Sequence, residues 1–183
     1  MEIQKEIDNY FNDFLIQKKV KYCFCTCELK DQSSAKKNRD QEKEIGSQCL
    51  KELTKKLNQD TLACKSSLSH TSGLLVAIAA HGNLTGIGID VERSDRKVHL
   101  NLKSRLNVSE TRSIAVLDVL DYWVIKEACY KANPNSKGSV LSQYAINEFH
   151  EDKNEGLVQL NEVDFHVKIL KTKNWKIAVA LSF

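Results

Sequence analysis

From Leu74 to Ala80 the chain reads Leu-Leu-Val-Ala-Ile-Ala-Ala, an apolar run with no polar residue to mark a solvent face. A half-exposed strand alternates. A run of this kind predicts instead a strand buried on both faces, which needs a covering layer on each side. His81-Gly82-Asn83 then reads as a turn, and Leu84 to Glu92 resumes as a strand, so a hairpin is expected between the two. Alternation in the second strand sets Ile87, Ile89 and Val91 on one face and Gly88, Asp90 and Glu92 on the other. Gly86 and Gly88 lack side chains on that second face, so a ligand or another backbone can approach closely there.

Around this centre the periodicity divides the chain. Ile3, Ile7, Phe11, Phe14 and Leu15 recur at helical spacing over residues 3–19, and Tyr22 to Leu29 reads as a strand. The densely charged stretch from Glu28 to Ile45 is expected to be a solvated loop or a frayed helix start. A helical pattern returns through Cys49, Leu50, Leu53 and Leu57. Val98 to Leu106 and Ser109 to Ala132 are expected as helices, the second broken near Asp118 to Asp121. Asn133-Pro134-Asn135, with the single proline, ends it. Strands are expected at Tyr144 to Phe149 and Leu157 to Leu160, with a hairpin of Phe165 to Leu170 and Trp175 to Leu181 about Lys173-Asn174.

Asp90 and Glu92, two apart on a strand, point the same way, and like charges that close need a cation between them or a proton on one. Hard oxygen ligands in low number suit Mg²⁺, and Mn²⁺ accepts the same set. In Trp123-Val124-Ile125-Lys126-Glu127-Ala128-Cys129-Tyr130-Lys131, residues Trp123, Glu127 and Lys131 make one helical stripe. A Glu-to-Lys pair at i, i+4 is ordinary helix-surface stabilisation of about 0.2–0.5 kcal/mol, but a tryptophan beside it normally packs. Three carboxylates and two lysines in two short ordered segments are a composition suited to holding a divalent metal against a phosphate.

The strand G-I-G-I-D-V-E and the later helix W-x-x-K-E-A-x-x-K together resemble the signature pair of the 4'-phosphopantetheinyl transferase superfamily, in its longer, pseudo-dimeric type. Ser69-His70-Thr71 is similar to the element that precedes the strand in those enzymes, and Gly138-Ser139-Val140-Leu141 to the segment after the lysine helix. The resemblance covers residues 66 to 148 with some specificity. It implies an α+β fold of two pseudo-duplicated halves with antiparallel sheets, here about 1–80 and 81–183 of a single transferase unit, with coenzyme A bound between them. It implies Mg²⁺-dependent transfer of 4'-phosphopantetheine from coenzyme A to a serine of an acyl or peptidyl carrier protein, with release of 3',5'-ADP. Asp90, Glu92 and Glu127 become the metal ligands. Ser69, His70, Lys126 and Lys131 become contacts to coenzyme A. The general base is Glu127 or Glu110, and Lys131 also serves catalysis. Glu110, directly after the N-cap residue Ser109, is equally explained by helix capping. Arg93, Arg96, Lys97, Lys103 and Arg105 read individually as a solvated face, and through the resemblance as a surface that steers an acidic carrier.

One departure stands out. Longer members carry a Gly-Arg pair in the helix before the Ser-His element, the arginine helping to bind coenzyme A phosphate, whereas this chain has Gly46-Ser47. That leaves open a catalytically weakened module that binds coenzyme A or a carrier. A metal-dependent nuclease shares the D-x-E and later E and K, but its glutamate and lysine belong on a strand as E-x-K and not in a W-x-x-K-E helix. A net charge of +3 over 183 residues also fits a nucleic-acid partner poorly. Cys23, Cys25 and Cys27 alternate along one strand face, which is neither disulfide nor zinc spacing, so reduced cysteines are expected. No signal-like or spanning apolar segment is apparent, so a cytoplasmic monomer without a membrane partner is the expectation.

Overall fold

The computed structural model describes residues 2–29, 35–57, 64–99, 101–108 and 116–183. Its elements run α1 (Glu2–Gln17), β1 (Lys21–Glu28), α2 (Ala35–Lys56), β2 (Lys65–Thr71), β3 (Leu74–His81), β4 (Gly86–Arg93), α3 (Leu102–Arg105), α4 (Val119–Ala132), β5 (Ala145–His150), β6 (Glu155–Leu160), β7 (Val163–Lys171) and β8 (Trp175–Ser182). The protein is a mixed α+β fold with antiparallel sheets. One sheet has the strand order β1-β3-β2, the other β4-β8-β7-β6-β5.

The apolar run of β3 is covered on both faces. Leu75, Ala77 and Ala79 pack against Cys49 and Leu53 of α2. Leu74, Val76, Ile78 and Ala80 join Ile7, Phe11, Phe14 and Leu15 of α1 in a second cluster, which also takes in Ile87, Ile89 and Val91 of β4. β8 repeats the arrangement. Ile177, Val179 and Leu181 face that shared core, whereas Ala178 and Ala180 lie against α4 with Ala128 and Ala132.

β3 and β4 do not form the expected hairpin. Both edges of β3 are already paired, with β1 and with β2, so the turn at Gly82 instead carries the chain into the other sheet, where β4 pairs β8. β2, a strand that no apolar pattern announces, supplies the partner. α2 begins at Ala35, so its charged first half is helical: once a later apolar stripe anchors a helix, extending it costs little. The helix expected from Val98 shrinks to the four residues of α3.

α4 starts where a break was expected. Asp118 adopts an extended N-cap conformation, its side chain accepting from the amides of Leu120 and Asp121, while the Asp121 side chain accepts from the Asp118 amide. Lys176 donates to Asp118 and to Asp121, the latter at 2.7 Å, and Lys171 donates to Asp121 at 2.8 Å. The first turn of α4 is thereby fastened to the β7–β8 hairpin.

Candidate functional site

Gly86 and Gly88 explain how α4 comes to lie on β4. A Cβ at Gly88 would fall 1.9 Å from the Ala128 carbonyl oxygen, and one at Gly86 would fall 1.8 Å from that of Ala132. Of the two approaches the glycines permit, this structure uses the backbone one. The close packing sets the Trp123–Glu127–Lys131 stripe beside the polar face of β4.

Asp90 is 5% exposed, so its side chain does not stand on a solvated strand face. Its Oδ1 accepts from the Ser69 hydroxyl at 2.7 Å and from the Lys131 ammonium at 2.7 Å. Lys131 also donates to the Ile89 carbonyl at 3.1 Å. The other oxygen, Oδ2, is buried with no hydrogen-bond partner. A buried carboxylate oxygen without a donor is costly unless a cation meets it. Glu92 accepts from the Thr71 hydroxyl at 3.3 Å and pairs with Arg96, whose guanidinium lies 5.1 Å from the centre of the Trp123 ring.

Glu127 is half-buried. Its carboxyl is pushed above the ordinary carboxylate range by burial and then by the charge of Asp90, with Lys131 and Arg96 pulling it back. Burial and a nearby like charge both disfavour the ionised carboxylate, which makes the group a stronger base. Glu127 also lines a cavity of about 580 Å³ with Arg105, Trp123, Tyr130, Val140 and Leu141, so Ser139 to Leu141 of the segment after α4 border the same space.

The hard oxygens of Asp90, Glu92 and Glu127 and the unpartnered Oδ2 fit a divalent cation. As arranged, however, no three of the His, Cys, Asp and Glu side chains among the described residues are grouped to hold one. Lys131 sits against Asp90 and Arg96 against Glu92 as counter-charges.

Two residues expected here are elsewhere. Lys126 is 1% exposed and donates to the Leu106 carbonyl, and burial pushes its ammonium down to about 8, with Cys129 opposing. His70, one residue from Ser69 on an alternating strand, turns outward, and its Nδ1 lies 3.6 Å from Glu42 of α2. Ser47 is exposed on α2, and Glu110 lies outside the described residues. Two residues were missed: Arg96 as the partner of Glu92, and Ser67, whose hydroxyl accepts from the Ile89 amide at 3.1 Å. The Ser-x-Ser-x-Thr alternation from Ser67 to Thr71 was the available signal. All six cysteines are free, with the Cys25 and Cys49 sulfurs 3.0 Å apart. No helix among the described residues is long and apolar enough to cross a membrane.

No protein-family model matches the chain, and no curated protein matches it.

Proposed function

We propose that this protein transfers 4'-phosphopantetheine from coenzyme A to a serine of an acyl or peptidyl carrier protein, releasing 3',5'-ADP. The observation that carries the reading is the buried, unpartnered Oδ2 of Asp90, on a strand against which α4 presents Glu127 and Lys131. The resemblance of both motifs to the phosphopantetheinyl transferases supports it, and so does the division of the strands between two antiparallel sheets at Gly82, which we read as the two halves of that fold.

Asp90 through Oδ2, Glu127, and Glu92 once parted from Arg96 are the residues that would hold Mg²⁺ or Mn²⁺. The bound ion supplies charge neutralisation at the coenzyme A pyrophosphate. Glu127 takes the proton of the carrier serine. The serine oxygen bonds to the β-phosphorus of coenzyme A, the bond from that phosphorus to the bridging oxygen breaks, and 3',5'-ADP leaves with the electron pair. Lys131 offsets the charge that develops on the leaving group, the electrostatic contribution that dominates phosphoryl transfer. The placement of Lys126 beneath Leu106 and of His70 beside Glu42 takes two expected coenzyme A contacts away from Asp90, which favours a second reading, a catalytically weakened module that binds coenzyme A or a carrier protein without turnover.

Chromatography of 3',5'-ADP from a mixture of the protein, coenzyme A, apo carrier protein and Mg²⁺ separates the two. The transferase reading predicts release that a chelator stops. Bound coenzyme A with no 3',5'-ADP would leave the binding module.

A further inference from the structure

One edge of β4 is laddered to β8, and the other abuts β2 without a strand ladder. The amides on that open edge are met by side chains instead. The Ser67 hydroxyl accepts from the Ile89 amide at 3.1 Å, and the Ser69 hydroxyl accepts from the Val91 amide at 3.3 Å. Ser67 and Ser69 are 8% and 5% exposed, so water does not compete for these bonds. The two serines differ in one respect. Ser69 also reaches a carboxylate, donating its single proton to Asp90 Oδ1 at 2.7 Å.

We propose that Ser69 is a positioning residue for Asp90, fixing the carboxylate so that Oδ2 is the donor offered to a divalent cation; this rests on the metal reading above. With its acceptor side on the Val91 amide, the hydroxyl proton is directed at Oδ1. Lys131 approaches the same oxygen, so both donors fall on Oδ1 and Oδ2 is left bare. A carboxylate held this way cannot turn its free oxygen aside without breaking two hydrogen bonds in a buried site. Partners one step removed from a metal commonly change its affinity about 10- to 100-fold when lost. Ser67, one pleat away, stitches the same two strands without touching Asp90, and so serves as the internal control.

The test is Mn²⁺ binding to the full chain, read from the loss of the free-ion electron paramagnetic resonance signal, with thermal unfolding measured in parallel. Ser69→Ala is expected to weaken Mn²⁺ binding about tenfold or more. Ser67→Ala is expected to lower the unfolding temperature but to keep Mn²⁺ binding within about twofold, since it removes a strand bridge and no carboxylate partner. Where Ser69→Ala does not fold, Ser69→Cys keeps the shape with a poor donor and is expected to weaken binding in the same sense. Unchanged affinity in the Ser69 variants, or equal losses at Ser67 and Ser69, overturns the positioning role while the metal site stands. A wild-type protein that takes up no Mn²⁺ overturns both.

Discussion

Glu127 and Asp90 share one patch, and the energetic consequence has a definite sign. A carboxyl raised above its unfolded value is held protonated more tightly by the folded chain. Its contribution to stability is therefore greatest at low pH and is lost as pH rises from the ordinary carboxylate range through the raised folded value. Glu127→Gln removes that loss. It is expected to unfold at a higher temperature than wild type at pH 7, with the gap closing towards pH 4, while transfer falls by about 10²- to 10⁴-fold. Arg96 gives a second sign. Because it already neutralises Glu92, Arg96→Gln is expected to tighten Mn²⁺ binding, whereas a merely structural arginine would leave it unchanged or weaker; titration calorimetry decides. Asp90, Glu92, Glu127 and Lys131 were legible because alternation and helical spacing are local properties. Lys126, expected through the resemblance as a coenzyme A contact, lies about 100° around the helix from Glu127, off the Trp123–Glu127–Lys131 stripe. The bonds from Ser69 to Asp90 and from Thr71 to Glu92 span 21 residues each, a separation at which spacing carries no signal.

Elements were easier to find than their partners. The apolar run of β3 and the alternation of β4 state what each strand buries, and both do so as read, in clusters on the two faces of β3 and one face of β4. The turn at His81 to Asn83 is equally real, yet a turn fixes only the local reversal. Which strand lies alongside was decided by β1 and β2 filling both edges of β3. The seating of α4 on β4 depends on two absent side chains. Gly88→Ala would drive a methyl into the Ala128 carbonyl, which is backbone and cannot rotate away. The expected cost is at or beyond the upper end of the ~1–3 kcal/mol typical of overpacking. Denaturant titration should show a much lower midpoint, together with lost metal binding as Glu127 and Lys131 move off β4. An unchanged midpoint would mean that the helix does not sit so close.

At the scale of the molecule the two sheets share one core. Ile87, Ile89 and Val91 pack with Leu74, Val76 and Ile78, so strands from either side of Gly82 bury one another. The candidate site lies on that seam: Ser69 and Thr71 come from one sheet, Asp90 and Glu92 from the other, and Glu127 and Lys131 from the helix that covers it. A site assembled across a shared core needs the whole chain folded. The most direct test is the intact mass of an apo acyl carrier protein after incubation with this protein, coenzyme A and Mg²⁺, with Asp90→Ala run beside it. A gain of one phosphopantetheine group is expected with the wild-type protein and none with the variant. No gain across several acyl and peptidyl carriers, or an equal gain with Asp90→Ala, would contradict the transferase reading.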